Sequence, residues 1–146
     1  MTAEQGKDMK KLLSFLMILA LLTGGALAEA VPAPEQVTEI ILRFRETYPD
    51  RFLWESDGGA DFLQTVSEAA FGSLPAREVE PVDYEALRPG DILRLKGGTY
   101  SVMILEKFHN HVTVVEVWTN GRVYWGRTLG KNAVEAGDSF TTRYPE

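Results

Sequence analysis

There is no cysteine in this chain of 146 residues, and histidine occurs only twice. The missing cysteine removes the thiol nucleophile, the thiolate metal site and the disulfide together. A small exported domain without disulfides has to hold itself together by packing. Basic residues are also scarce, 15 against 21 acids, for a formal net charge of −6. An acidic chain without a basic cluster argues against nucleic acid as a partner, and against an anionic membrane surface held by electrostatics. Nor is there an apolar run of membrane-spanning length. The longest, LLSFLMILALL at 12–22, has eleven residues, where a spanning helix needs about 20.

That short run fits a different purpose. Lys10-Lys11 precede it, and Thr23-Gly24-Gly25 and Ala26-Leu27-Ala28 follow it. Charge, a short apolar core and an A-x-A site in that order predict a secretory signal peptide over 1–28, cleaved after Ala28, with Met9 as an alternative start. No cysteine follows the run, which excludes a lipid-anchored form. Cleavage would leave 29–146, with 12 basic against 19 acidic residues, one secreted domain with no membrane segment and enough chain for a hydrophobic core.

Within that domain, VPAP at 31–34 predicts an extended linker over 29–34, because proline disfavours helix in the residue before it. Val37, Ile40, Ile41 and Phe44 recur at helical spacing and predict a helix over 35–47, with Pro34 suited to its first turn and Pro49 as its stop. RFLWESDGG at 51–59 reads as a loop with Phe52 and Trp54 turned inward. A second helix is expected over 60–71, with Ser56 or Asp57 near its start, an apolar face of Phe62, Leu63, Val66, Ala70 and Phe71, and Gly72 as its stop. The stretch 74–88 reads as irregular.

Beyond it the period falls to two. Strands are expected at 92–95, 100–106, 112–118, 122–127 and 139–144, with Asn120-Gly121 as a hairpin turn. The two middle strands are apolar on both faces, which predicts cover on both sides. Helices first and an antiparallel meander after them make an α+β domain: two N-terminal helices packed on a small antiparallel sheet or half-barrel.

The order of GGADFLQTVSEAAFG (58–72), LRPGDILRL (87–95), TYSVMILEK (99–107) and VTVVEVW (112–118) resembles the CHAP and NlpC/P60 families of papain-like cell-wall hydrolases. The resemblance runs over about 54–127 and rests on order and spacing. It implies a papain-like fold over 35–146 and a reaction that needs a thiolate activated by imidazole. The family's cysteine would fall at Gly59 or Ala60, its histidine at Tyr100 and its asparagine at Trp118; its glutamate is retained as Glu116. Nucleophile and base are therefore both absent. The resemblance implies a catalytically inactive domain whose groove, near Trp54, Gly59, Tyr100, Glu116, Trp118 and Trp125, binds a cell-wall peptide or another extracellular ligand. Two alternatives stand beside it: an active amidase or peptidase using Glu116 with His109 or His111, and an extracellular protein-interaction module. None of these readings calls for a cofactor.

The residues themselves pose narrower questions. Glu116 sits among apolar neighbours, so its carboxylate needs a partner. An ion pair with Arg94, Arg122 or Arg127 is one solution; a hydrogen bond from Tyr100 is the other. His109 and His111 stand at i and i+2, either as a metal pair or as an exposed hairpin tip. A serine nucleophile with either histidine has no nucleophile-elbow pattern behind it. Trp54, Trp118, Tyr124 and Trp125 either line a groove or fill the core.

Overall fold

The computed structural model describes residues 30–54 and 59–146. The predicted signal peptide, and Ser56 and Asp57 at the start of the second helix, lie outside the described residues. Residues Val31–Glu146 form one unit. No helix among the described residues is long and apolar enough to cross a membrane.

Helix α1 spans Pro34–Thr47. It begins one residue before the expected start, with Pro34 in the first turn as its sequence position suggests. Proline suits that position, because the N–H it lacks has no helical partner there. The Gln36 side chain accepts from the Ala33 N–H at 3.0 Å. Val37 and Ile41 are buried, and Ile40 and Phe44 pack against the same core. Helix α2 spans Gly59–Phe71 and buries Phe62, Leu63, Val66, Ala70 and Phe71. Gly72 ends it with φ +61°, a left-handed conformation that glycine adopts at little cost.

Six strands follow: β1 (Arg77–Val79), β2 (Ile92–Leu95), β3 (Tyr100–Lys107), β4 (His111–Val117), β5 (Val123–Gly130) and β6 (Ser139–Thr142). They form one antiparallel sheet in the order β1-β6-β2-β3-β4-β5. The two long helices and this sheet make the α+β architecture. The sheet is open: β1 and β5 end it and do not pair with each other. A 3₁₀ turn at Tyr84–Ala86 and a short helix α3 at Lys131–Glu135 were not anticipated. Neither was β1, whose three residues are too few to show a period.

The side chains alternate between two cores. Met103, Leu105, Val115, Val117, Val123 and Trp125 face α1 and α2. Val102, Ile104, Val112, Val114 and Leu129 point the other way, where Val82, Tyr84, Leu87 and Val134 cover them. Segment 82–87 and α3 thus close the second face.

Turn chemistry fixes the strand ends. The β4–β5 hairpin is wider than a two-residue Asn-Gly turn. The Trp118 N–H bonds to Arg122 O at 3.0 Å and the Gly121 N–H to Trp118 O at 2.9 Å. Gly121 has φ +75°. This is the three-residue loop that ends in a left-handed glycine. Gly90, in the L-x-P-G-D turn, has φ +90°, and a Cβ there would sit 2.7 Å from both Phe71 and Val37. Only glycine lets this turn lie against α1 and α2.

Candidate functional site

Glu116 lies near the end of β4, fully buried. By alternation its side chain joins those of Val112 and Val114, on the face away from α1 and α2. Four donor contacts converge on it. Arg127 Nε donates to Oε2 at 2.7 Å and Arg127 Nη2 to Oε1 at 2.9 Å. Trp118 Nε1 donates to Oε1 at 2.7 Å, and the Tyr100 hydroxyl donates to the same oxygen. The two solutions expected for this carboxylate thus occur together, with Arg127 as the cation. Arg122 instead donates from Nη1 to Arg51 O at 2.9 Å.

A β-bulge makes this possible. Val115 pairs with Trp125 and Val114 with Arg127, so Gly126 is an extra residue on β5. Gly126 has φ +87°, and the bulge resets the alternation. Trp125 points to the helices, yet Tyr124 and Arg127 both reach the Glu116 face.

The electrostatics follow from this arrangement. Burial pushes the Tyr100 phenol well above its usual range, and the hydrogen bond and the charge of Glu116 add to the rise. The Arg127 guanidinium is likewise raised, chiefly by its hydrogen bond to Glu116. Tyr100 is therefore a donor locked in its neutral form and no base. Both oxygens of Glu116 are engaged by protein donors, Oε1 by three and Oε2 by one.

The surface above the carboxylate is aromatic. Trp118 is 43 % exposed. Its ring stacks on Tyr124, with centroids 3.9 Å apart and planes at 29°. The Asn120 amide donates to the Tyr124 hydroxyl at 2.9 Å.

The structure brings Tyr100, Glu116 and Trp118 together but places the other expected groove residues elsewhere. Gly59 opens α2 on the opposite face, so tightly seated that a Cβ would lie 3.0 Å from Val117 Cβ and 3.2 Å from Val117 O. Ala60 is exposed. Trp54 and Trp125 belong to the helix-side core. Trp54 meets Tyr48 and Phe62 edge-on at 5.4 and 5.1 Å, and Phe62 meets Trp125 at 6.3 Å. Trp125 Nε1 donates to Tyr48 O at 2.7 Å. The sheet itself separates these residues from Tyr100, so one groove does not contain all five aromatic and acidic positions. Phe52, expected inside, is 38 % exposed.

The histidines stand apart from Glu116. His111 opens β4 and Glu116 lies five residues along it, a separation of about 17 Å at the rise of a strand. His111 stacks on Phe108 at 4.5 Å and its Nδ1 lies 2.7 Å from Asn110 Oδ1. His109 is in the turn before β4, so the two do not share a strand face. No group of three or more metal-ligating side chains occurs among the described residues.

One buried acid escaped the sequence reading. Asp91, the last residue of the L-x-P-G-D turn, is fully buried. Its Oδ2 accepts from the Arg88 N–H at 2.9 Å. Burial raises its carboxyl to about 6, against hydrogen bonds from the Thr142 side chain and the Arg88 backbone and the charges of Arg88 and Arg77. The signal was present, since an aspartate that closes a turn and opens a core strand follows the chain inward.

Comparison with protein families, with curated proteins and with solved structures gave no match. The class defined by fold and site is therefore a structural one: an α+β domain with a buried carboxylate, held by Tyr100, Trp118 and Arg127, beneath an exposed tryptophan stacked on a half-buried tyrosine.

Proposed function

We propose that this chain is an exported, non-catalytic binding domain, built on a frame that resembles the CHAP and NlpC/P60 hydrolases and directed at cell-wall material. The observation that carries the reading is the state of Glu116. Where a hydrolase of that kind needs a polar group free to orient a base, this carboxylate is occupied by Tyr100, Trp118 and Arg127. The positions of the missing thiol support it from the other side. Gly59 is pressed on Val117 and leaves no room for a nucleophilic side chain without a shift. What remains exposed for recognition is Trp118, stacked on the half-buried Tyr124.

The test is co-sedimentation of the exported protein with peptidoglycan sacculi, with the supernatant assayed for released muropeptides. Retention without release is the expected result. Release would show that a nucleophile acts here and would overturn the non-catalytic reading. No retention would remove the cell wall as the target.

A further inference from the structure

We propose that the outward face of Trp118 is a binding platform for the C–H face of a pyranose ring in an oligosaccharide. This rests on the binding-domain reading and narrows it from cell-wall material in general to its glycan.

The indole is held from two directions before any ligand arrives. Its edge is fixed by the Nε1 bond to Glu116 at 2.7 Å, and Glu116 is itself fixed by Arg127. Its underside rests on Tyr124 at 3.9 Å, whose hydroxyl is held by Asn120. Two rings ordered in advance lose little conformational freedom on binding. The indole N–H is already engaged inside the protein. The ring therefore offers a flat apolar face and no hydrogen bond of its own, which suits the C–H face of a sugar. Hydroxyls around such a ring would meet the polar residues of the turn that follows it, since Thr119, Asn120 and Arg122 are all exposed.

The size of the surface argues against a protein partner. A stable protein interface buries about 800 Å² on each side around an apolar centre. Of the large exposed hydrophobics, Trp118 and Leu53, which bridges to Arg122, are on this face; Phe52 packs edge-on against Tyr48 of the helix-side core, and Val31, Leu42 and Phe108 are on other elements. One indole with one leucine beside it matches a sugar ring or two.

The experiment is a titration of the exported protein with the N-acetylglucosamine tetrasaccharide, followed by tryptophan fluorescence, with a free stem pentapeptide as a parallel probe. Saturable quenching by the tetrasaccharide is expected. Trp118→Ala should weaken that binding at least about tenfold, and Trp118→Phe, which keeps a ring but loses the bond to Glu116, should weaken it less. An unchanged far-ultraviolet circular dichroism spectrum confirms that each variant is folded. Absence of a response to the tetrasaccharide, or equal affinity in Trp118→Ala, overturns the platform. Sacculi retained equally by Trp118→Ala, or displaced only by the stem peptide, overturn it too and leave the binding-domain reading intact. If sacculi are not retained at all, that reading fails, and the tetrasaccharide titration judges the platform alone. A dimer in sedimentation velocity that Trp118→Ala dissolves would make this face a contact between copies and would also overturn the proposal.

Discussion

The two faces of the sheet hold their polar atoms in opposite ways. On the α1–α2 face, polar atoms sit at the rims of aromatic rings and are bonded one at a time or not at all, since Trp54 Nε1 has no hydrogen-bond partner. Trp125 Nε1 donates to Tyr48 O and the Tyr144 hydroxyl to Pro89 O, both at 2.7 Å. On the other face a single carboxylate collects its donors from three different places, β3, the end of β4 and β5. The first arrangement is distributed, so losing one bond leaves the rest in place. The second is centred, so losing the centre leaves several donors facing nothing. Ring packing and a buried charge both rigidify a core, but they fail differently.

The comparison can be broken first on the ring side. Phe62 touches Tyr48, Trp54 and Trp125 edge-on and is fully buried. Phe62→Ala should cost about 3–5 kcal/mol, read from the urea midpoint. On the carboxylate side, Glu116→Ala should cost about 3 kcal/mol by leaving Arg127 and two other donors uncompensated. Replacing the pair, Glu116→Leu with Arg127→Leu, should recover most of that loss, since Tyr100 and Trp118 are partly exposed and can turn to water. No recovery would mean that the pair itself, and not the orphaned partner, carries the stability.

Asp91 sharpens the contrast as a buried carboxylate that is not saturated: its Oδ1 has no hydrogen-bond partner. Its carboxyl rises from 3.8 to about 6 on folding. Between those values the native protein keeps a proton that the unfolded chain has released. Stability from this group therefore falls as pH rises through that window, by up to about 3 kcal/mol. Asp91→Asn should flatten the dependence, measured as the difference in urea midpoint between pH 4 and pH 6.5. A slope identical in the variant would assign it to other groups. The smallest effect is expected at Gly126, where a Cβ meets nothing within 4 Å but φ is +87°. Gly126→Ala should cost about 1 kcal/mol of backbone strain and leave the Trp118–Tyr124 stack in place.

The long elements were legible because each carries a strong period. The apolar stripe of α1, the face of α2 and the alternation of β2 to β5 all exceed what a few residues could imitate. Glu116 was legible for the same reason, as a charge inside an apolar strand. The short elements, β1, the 3₁₀ turn and α3, hold their form through contacts distant in sequence. Arg77 to Val79 pair with Phe140 to Thr142, which no local pattern reports. The division of the aromatic residues was also hidden. Trp118, Trp125 and Tyr100 look alike as ring-bearing strand residues, and only the register says which side each takes.

That register depends on a single inserted position, and the consequence reaches into how this domain can change over generations. Downstream of Gly126, inward and outward trade places. Drawing Gly126 into the ladder, with no residue lost, would carry Arg127 to the helix side and strand Glu116 without its cation, whereas deleting it would leave Arg127 opposite Val114 on the Glu116 face. Substitutions along β5 are graded in their harm. A frame change within it is all or nothing, so lineages that keep the buried acid are bound to keep residue 126 out of the ladder, either as a bulge or by losing it.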